Sequence, residues 1–210
     1  MLNVLVGCEY SGTVREAFKK LGHNAWSCDL LPTEIPGNHY QLDLIKVCEL
    51  QKWDLLIAHP PCTYLTNSGV RWLYNKDGSR NKERWENLNS ASSFFKEILY
   101  QEIPYICVEN PIPHKYADIR KYDQIIQPWQ FGHPESKATC LWLKGLPKLE
   151  PTNVLSKPSN GRWNNQTPSG QNNLGPSADR WKIRSKTYQG IADGMAKQWS
   201  KYIEGKHEQE

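Results

Sequence analysis

Long apolar runs are missing from this sequence. The longest, such as Leu55-Leu56-Ile57-Ala58, fall far short of the ~20 residues a membrane-spanning helix needs, which excludes a helical membrane protein. Hydrophobic residues are only 38% of 210, and mean hydropathy is -0.71. Charge of one sign is also missing. Lys+Arg 26 against Asp+Glu 22 leaves +4, a bias that permits a nucleic-acid partner without demanding one. Paired cysteines are absent: the six, at 8, 28, 48, 62, 107 and 140, contain no Cys-x-x-Cys, so a zinc ribbon has no support. Cys107 and Cys140 lie in apolar runs, where a reduced Cys behaves as a small hydrophobe. His114 and His133 lack companions at metal-ligand spacing, so no metal is assigned. No basic segment leads into an apolar stretch at the N-terminus, which reads as a reduced, cytoplasmic protein. Aromatics are plentiful instead. Nine Trp, ten Tyr and four Phe can each bury roughly 150–250 Å², so a real core is expected and the polarity must be concentrated elsewhere.

Along the chain, Asn3-Val4-Leu5-Val6-Gly7 is a run of buried-strand type. Thr13 and Glu16 have the spacing of a capping box, and Val14, Ala17, Phe18 and Leu21 follow on one helical face until Gly22 stops the helix. Ala25-Trp26-Ser27-Cys28 reads as a second strand ending at Asp29. Asp54 to Ala58 reads as a third, halted by His59-Pro60-Pro61. Leu88, Ala91, Phe95, Ile98 and Glu102 mark a second amphipathic helix. Tyr105 to Val108 is a strand halted by Glu109-Asn110-Pro111, and Gln127 to Phe131 and Thr139 to Leu143 are expected as two more. Periodicity then disappears over 145–185, where Pro, Asn, Ser and Gly absorb most of the excess polarity. A last helix carries Tyr188, Ile191, Ala192, Met195, Ala196, Trp199 and Ile203 on one face, with a solvated tail from Glu204. No internal repeat is visible. Short apolar strands alternating with helices indicate an α/β, doubly wound, mostly parallel sheet with helices on both faces. Ligands in such sheets bind beyond the carboxyl ends of the strands.

The chemically informative residues stand at those ends. Gly7-Cys8-Glu9-Tyr10-Ser11-Gly12 joins the first strand to the first helix, and its glycines permit a tight turn and close backbone approach to a ligand. It is not the G-x-G-x-x-G fingerprint, and Glu9 would repel a pyrophosphate, so a ligand with a cationic or amino-acid end fits better; a plain strand-helix turn is the alternative. Asp29 suits ribose hydroxyls and Asp43 an amino group, or each caps a helix. In His59-Pro60-Pro61-Cys62-Thr63 two prolines fix the backbone and hold Cys62 at the carboxyl edge, where a nucleophilic thiolate is needed; a small buried Cys in a turn is the bland reading. Glu109-Asn110-Pro111 repeats the device on the neighbouring strand. A carboxyl there suits proton handling or gripping a ring nitrogen and an exocyclic amine.

This order of motifs, over about Val4 to Pro111 with a fainter match from Tyr188 to Ala196, resembles the cytosine-5 DNA methyltransferase family. The resemblance implies a Rossmann-like, S-adenosylmethionine-dependent methyltransferase fold. It implies that Gly7, Cys8, Glu9, Tyr10, Ser11, Gly12, Asp29, Leu30, Asp43, His59 and Pro60, with Asp193 from the last helix, hold S-adenosylmethionine. It makes Cys62, positioned by Pro61, the nucleophile and Glu109, with Asn110, the group that holds the cytosine edge. Residues 1–144 and 186–204 then form one catalytic domain, 145–185 a reduced target-recognition insertion and 205–210 a tail. The sequence departs from the family in its glycine loop, which lacks the opening aromatic residue. It also lacks an evident Gln-x-Arg-x-Arg strand, near whose place Lys137 stands.

Arg71, Lys82 and Arg84, interleaved with Trp72, Tyr74 and Trp85, suit phosphate and base contacts, as do Lys137, Arg162 and Arg184; an ordinary solvated loop is the alternative. The expected substrate is DNA, with RNA or a free cytosine nucleotide as alternatives. Amino-group methylation is disfavoured because His59, not Asp or Asn, precedes the prolines. A non-catalytic nucleic-acid-binding module is the reading from a different class. The 40 or so residues left for recognition point to a short or relaxed target, which would suit a phage or mobile-element enzyme.

Overall fold

The computed structural model describes residues 1–67 and 72–208. Its strands are β1 (Asn3–Gly7), β2 (Asn24–Cys28), β3 (His39–Tyr40), β4 (Leu55–Ala58), β5 (Tyr105–Pro111), β6 (Gln124–Ile126) and β7 (Thr139–Lys144). Its helices are α1 (Thr13–Lys20), α2 (Leu44–Cys48), α3 (Lys82–Leu99), α4 (Arg180–Ser185) and α5 (Gln189–His207). The strands form one sheet in the order β3-β2-β1-β4-β5-β7-β6, with β7 alone antiparallel to its neighbours. This is the mostly parallel, doubly wound α/β sheet expected from the sequence, and it is Rossmann-like. The strand order reverses between β1 and β4, so the ligand crevice of such a sheet lies beyond Gly7 and Ala58.

Both faces are buried, which explains why the central strands read as continuous apolar runs rather than alternating ones. Val4, Val6, Leu55 and Ile57 face one core with Val14, Ala17 and Phe18 of α1 and Ile191, Met195, Trp199 and Ile203 of α5. Leu5, Leu56 and Ala58 face the other with Val47 of α2, Leu88, Phe95 and Ile98 of α3, and Trp142 of β7. Among the described residues no helix is long and apolar enough to cross a membrane.

Several expectations are corrected. Thr13 and Glu16 form no capping box: Gly12 is the N-cap at φ 74° with no side-chain cap, and the Glu9 carboxylate takes the N–H groups of Val14 and Arg15 at 2.6 and 3.2 Å. Leu21 lies past the end of α1 and is exposed. Glu102 lies beyond α3. β5 does not stop at Val108; β7 supplies ladder partners for Glu109, Asn110 and Pro111, beyond the end of β4. The strand expected over Gln127 to Phe131 is instead the short β6 followed by a 3-10 turn at Pro128–Gln130, since Pro128 donates no ladder bond. The tail from Glu204 is still helical to His207. The polar stretch 145–185 packs against the rest of the chain at several points. Leu149 is fully buried, Trp163 stacks on Trp129 at 5.8 Å, and Arg180–Ser185 is helical.

Candidate active site

The β4/β5 register carries the site. Ala58 pairs with Val108, so continuing one residue brings His59 beside Glu109 and, next, Pro60 beside Asn110. His59 Nδ1 and Glu109 Oε2 lie 2.8 Å apart, with both side chains about nine-tenths buried. Asn110 Nδ2 donates to the Pro60 carbonyl at 2.7 Å and ties the Pro-Pro-Cys turn to β5. The His59 backbone N–H donates to the Gly7 carbonyl at 2.9 Å, extending the β1/β4 ladder into the turn. Two strands therefore fix the segment on which Cys62 stands, and the thiol is partly buried rather than sealed in a core.

The electrostatics are mixed by design of the surroundings. Burial, and then the charge of Glu109, push the Cys62 thiol up; Lys137 and Arg184 pull the other way. Burial alone would raise the Glu109 carboxyl, but the His59 hydrogen bond and the positive charge of Lys137 bring it below the ordinary value. Glu109 is thus held as a buried carboxylate with a basic partner on each side. Burial raises the Glu9 carboxyl, opposed by the charge of His59 and by the α1 N–H groups.

The crevice over β1 is lined by Cys8, Glu9, Tyr10, Ser11 and His59, and from the polar segment by Ser185, Lys186 and Thr187. That segment is tied down. Tyr10 Oη donates to the Lys182 carbonyl and meets Ser185 Oγ, both at 2.9 Å, and Lys186 pairs with Glu34 at 2.6 Å. Gly7 and Gly12 leave room for the protein's own side chains. A Cβ on Gly7 would meet the Leu44 methyls at 2.5 Å, and one on Gly12 would meet the Arg15 guanidinium at 2.8 Å. Arg15 is fully buried and holds Ser27 Oγ, Thr33 Oγ1 and the Ile35 carbonyl at 3.0, 3.2 and 2.7 Å, which fixes the loop after β2. Its role is not legible from the chain alone, since it lies off the apolar stripe of α1.

The charges of Asp29 and Asp43 both bear on the Cys8 thiol, adding to burial in pushing it up. Asp43 Oδ1 caps α2 through the N–H groups of Ile45 and Lys46, and Asp29 Oδ1 takes the Leu31 N–H. Leu30 is 72% exposed beside them. Asp193 is held by Gln189 within α5 and does not line the crevice. Pro61 is exposed in the turn.

Of the expected nucleic-acid residues, Lys137 and Arg184 bring their charge to Cys62. The Arg84 guanidinium lies over the Tyr64 ring at 4.7 Å, and Arg80 over Trp85 at 4.8 Å; Trp85 in turn meets Tyr116 at 5.4 Å. Lys82 is exposed and within 3.9 Å of Glu86. Arg162 sits half-buried in a turn closed by Asn160, and Arg71 lies outside the described residues. Among the described residues no cluster of His, Cys, Asp or Glu could hold a metal. Sequence reasoning missed the His59–Glu109 pair, although two proline-terminated strand ends of adjacent parallel strands were the signal for it.

No protein-family model and no curated protein matches this sequence. Among solved structures, the chain is similar to a prophage-encoded E. coli protein described as a DNA modification methyltransferase, at 15% identity and a TM-score of 0.46, covering 68% of this chain and 46% of that one. It is also similar to the Entamoeba histolytica methyltransferase EhMeth, at 17% identity and a TM-score of 0.43, covering 74% of this chain and 58% of that one. The chain thus spans about half the length of these structures.

Proposed function

We propose that this chain is an S-adenosylmethionine-dependent methyltransferase that acts on C5 of cytosine in DNA through a covalent Cys62 adduct. The observation that carries the reading is the pairing of the Pro60-Pro61-Cys62 turn with the buried Glu109 across one strand register. The residue types after β1, β2 and β3 suit the cofactor: Asp29 and Asp43 are carboxylates that can accept from hydrogen-bond donors such as ribose hydroxyls and an amino group. The Cys8–Ser11 loop and Glu9 would border its cationic portion. When bound, S-adenosylmethionine supplies an electrophilic methyl group.

The chain's own residues do the rest. Cys62 adds as the thiolate to C6 of the ring, which makes C5 nucleophilic. Glu109 accepts from the exocyclic amine as the carboxylate, and a proton taken up from solvent as Cys62 adds bridges it to N3 and is given back when Cys62 leaves. Loss of the C5 proton and expulsion of Cys62 restore the aromatic ring. The target base must leave the stack to reach a thiol in this turn. Lys137 and Arg184 favour the thiolate, and their charge would also suit a phosphate of the substrate.

The test is labelled S-adenosylmethionine with duplex DNA, single-stranded DNA, RNA or dCMP in turn, and trapping on a 5-fluorocytosine oligonucleotide. Label in DNA and a stable adduct at Cys62 are expected. Unchanged methyl transfer by Cys62→Ser would overturn the covalent mechanism, and no transfer or adduct with any nucleic acid would leave a binding module.

A further inference from the structure

The crevice over β1 is too narrow for the ligand proposed for it. One side is Cys8, Glu9, Tyr10, Ser11 and His59; the other is Ser185, Lys186 and Thr187. Between them lies a cavity of about 40 Å³. Such a space suits a water molecule, whereas pockets for drug- or cofactor-sized ligands run to roughly 300–1,000 Å³. The first side is fixed by the sheet and α1. Glu9 takes the N–H groups of Val14 and Arg15, and the His59 N–H is bonded to Gly7. The second side is the one that can move.

That side lies on the crevice without joining the core. Helix α4 (Arg180–Ser185) buries none of its residues, and Trp181 and Ile183 are more than half exposed. Its anchors are mainly polar. Tyr10 Oη donates to the Lys182 carbonyl and meets Ser185 Oγ, both at 2.9 Å, while the Tyr10 and Trp181 rings lie 6.0 Å apart. Lys186 pairs with Glu34 at 2.6 Å, with both side chains about two-fifths exposed. Lys137 Nζ reaches the Lys186 carbonyl at 3.5 Å. Exposed ion pairs and a few surface hydrogen bonds contribute little, so a segment held this way opens far more readily than the sheet beneath it. The two main anchors belong together: the Glu34 N–H donates to the Tyr10 carbonyl at 2.8 Å.

We propose that residues 180–187 form a latched gate: held down by Tyr10 and Glu34 they exclude S-adenosylmethionine from the crevice, and they lift to admit it. This rests on the methyltransferase reading above. A ligand that binds only the open form has its apparent Kd raised by the scarcity of that form. Weakening the latch therefore tightens cofactor binding, the reverse of losing a contact to the cofactor.

The test is Glu34→Gln, which removes the ion pair at a residue outside the crevice lining. Calorimetry with S-adenosylmethionine and with S-adenosylhomocysteine should give a Kd roughly 2- to 5-fold below wild type at low salt. The gap should narrow as NaCl screens the wild-type pair. An equal or higher Kd in Glu34→Gln would overturn the proposal. The second measurement needs no ligand. The gate carries Arg180, Lys182, Arg184 and Lys186, so trypsin reports its opening. Cleavage there should be faster in Glu34→Gln and in Tyr10→Phe than in wild type, and S-adenosylhomocysteine should accelerate it in wild type. Unchanged cleavage in both variants, or protection by the ligand, would equally refute the gate. The two readings fail distinguishably: if neither ligand binds wild type or variant, the cofactor reading falls and the gate with it, whereas binding that is indifferent to Glu34 sinks the gate alone.

Discussion

Asn110 donates its side-chain N–H to the Pro60 carbonyl at 2.7 Å, and with the His59–Glu109 contact this bond joins the turn that carries Cys62 to the strand that carries Glu109. Both groups are buried, so the bond is strong in effect and expensive to leave unmade. Asn110→Ala should cost about 1–3 kcal/mol of stability and lower kcat by roughly 10²-fold through misplacement of Cys62. Thermal unfolding and single-turnover methyl transfer check both. Normal turnover would mean that the prolines alone position the thiol.

The Cys62 thiol is held above its ordinary value of 9.0 by burial and by Glu109. The thiolate fraction is therefore small at neutral pH and climbs with alkalinity. Iodoacetamide alkylation of Cys62, followed by mass spectrometry, should still be accelerating at pH 9. Lys137→Gln removes a charge that pulls the thiol down, so alkylation at fixed pH should slow. An unchanged rate would place Lys137 outside the field of the thiol.

Glu9 carries the opposite sign of linkage from a paired surface acid. Its folded pKa is raised, first by burial, above the ordinary 4.5. The stability its proton confers is complete below that ordinary value and is lost as pH rises through the folded one. Glu9→Gln should therefore gain in Tm relative to wild type on going from pH 5 to pH 8. A difference that does not change with pH would show that the α1 N–H bonds outweigh the burial.

Arg15→Lys replaces a planar fork by a point charge that cannot reach Ser27, Thr33 and Ile35 together. Leaving the bond to the buried Ser27 hydroxyl and the part-buried bonds to Thr33 and Ile35 unmade should cost about 2–4 kcal/mol. At about 2–4 °C per kcal/mol this is a fall of roughly 5–15 °C in Tm. Limited proteolysis should cut first between residues 29 and 38. Wild-type protease resistance would argue that the loop holds itself.

Gly190 is the tightest point of the closing helix. A Cβ there would lie 2.0 Å from the Phe131 carbonyl oxygen, a backbone atom with no freedom to retreat. Gly190 also donates its N–H to His133 Nε2 at 2.9 Å. Gly190→Ala should displace the start of α5 and, with it, Tyr188, whose hydroxyl donates to Glu135. Circular dichroism melting should show a loss of about 3 kcal/mol or more; a wild-type melting curve would refute this packing.

The alternation of short apolar strands and amphipathic helices is legible in the chain, because burial on both faces leaves few other arrangements for runs such as Val4 to Val6 and Leu55 to Ala58. The place of the informative residues at strand ends is legible too, because Gly and Pro mark those ends in the chain itself. Local signals misled where a distant partner intervened. Glu109-Asn110-Pro111 looked like a strand stop, but β7 pairs with it from thirty residues away. Thr13 and Glu16 looked like a cap, but Glu9 reached the helix first. That Gly7 and Gly12 make room for Leu44 and Arg15 is visible only once the chain is folded. The tertiary structure alone brought His59 against Glu109, because strand register is a relation between segments that no single segment encodes.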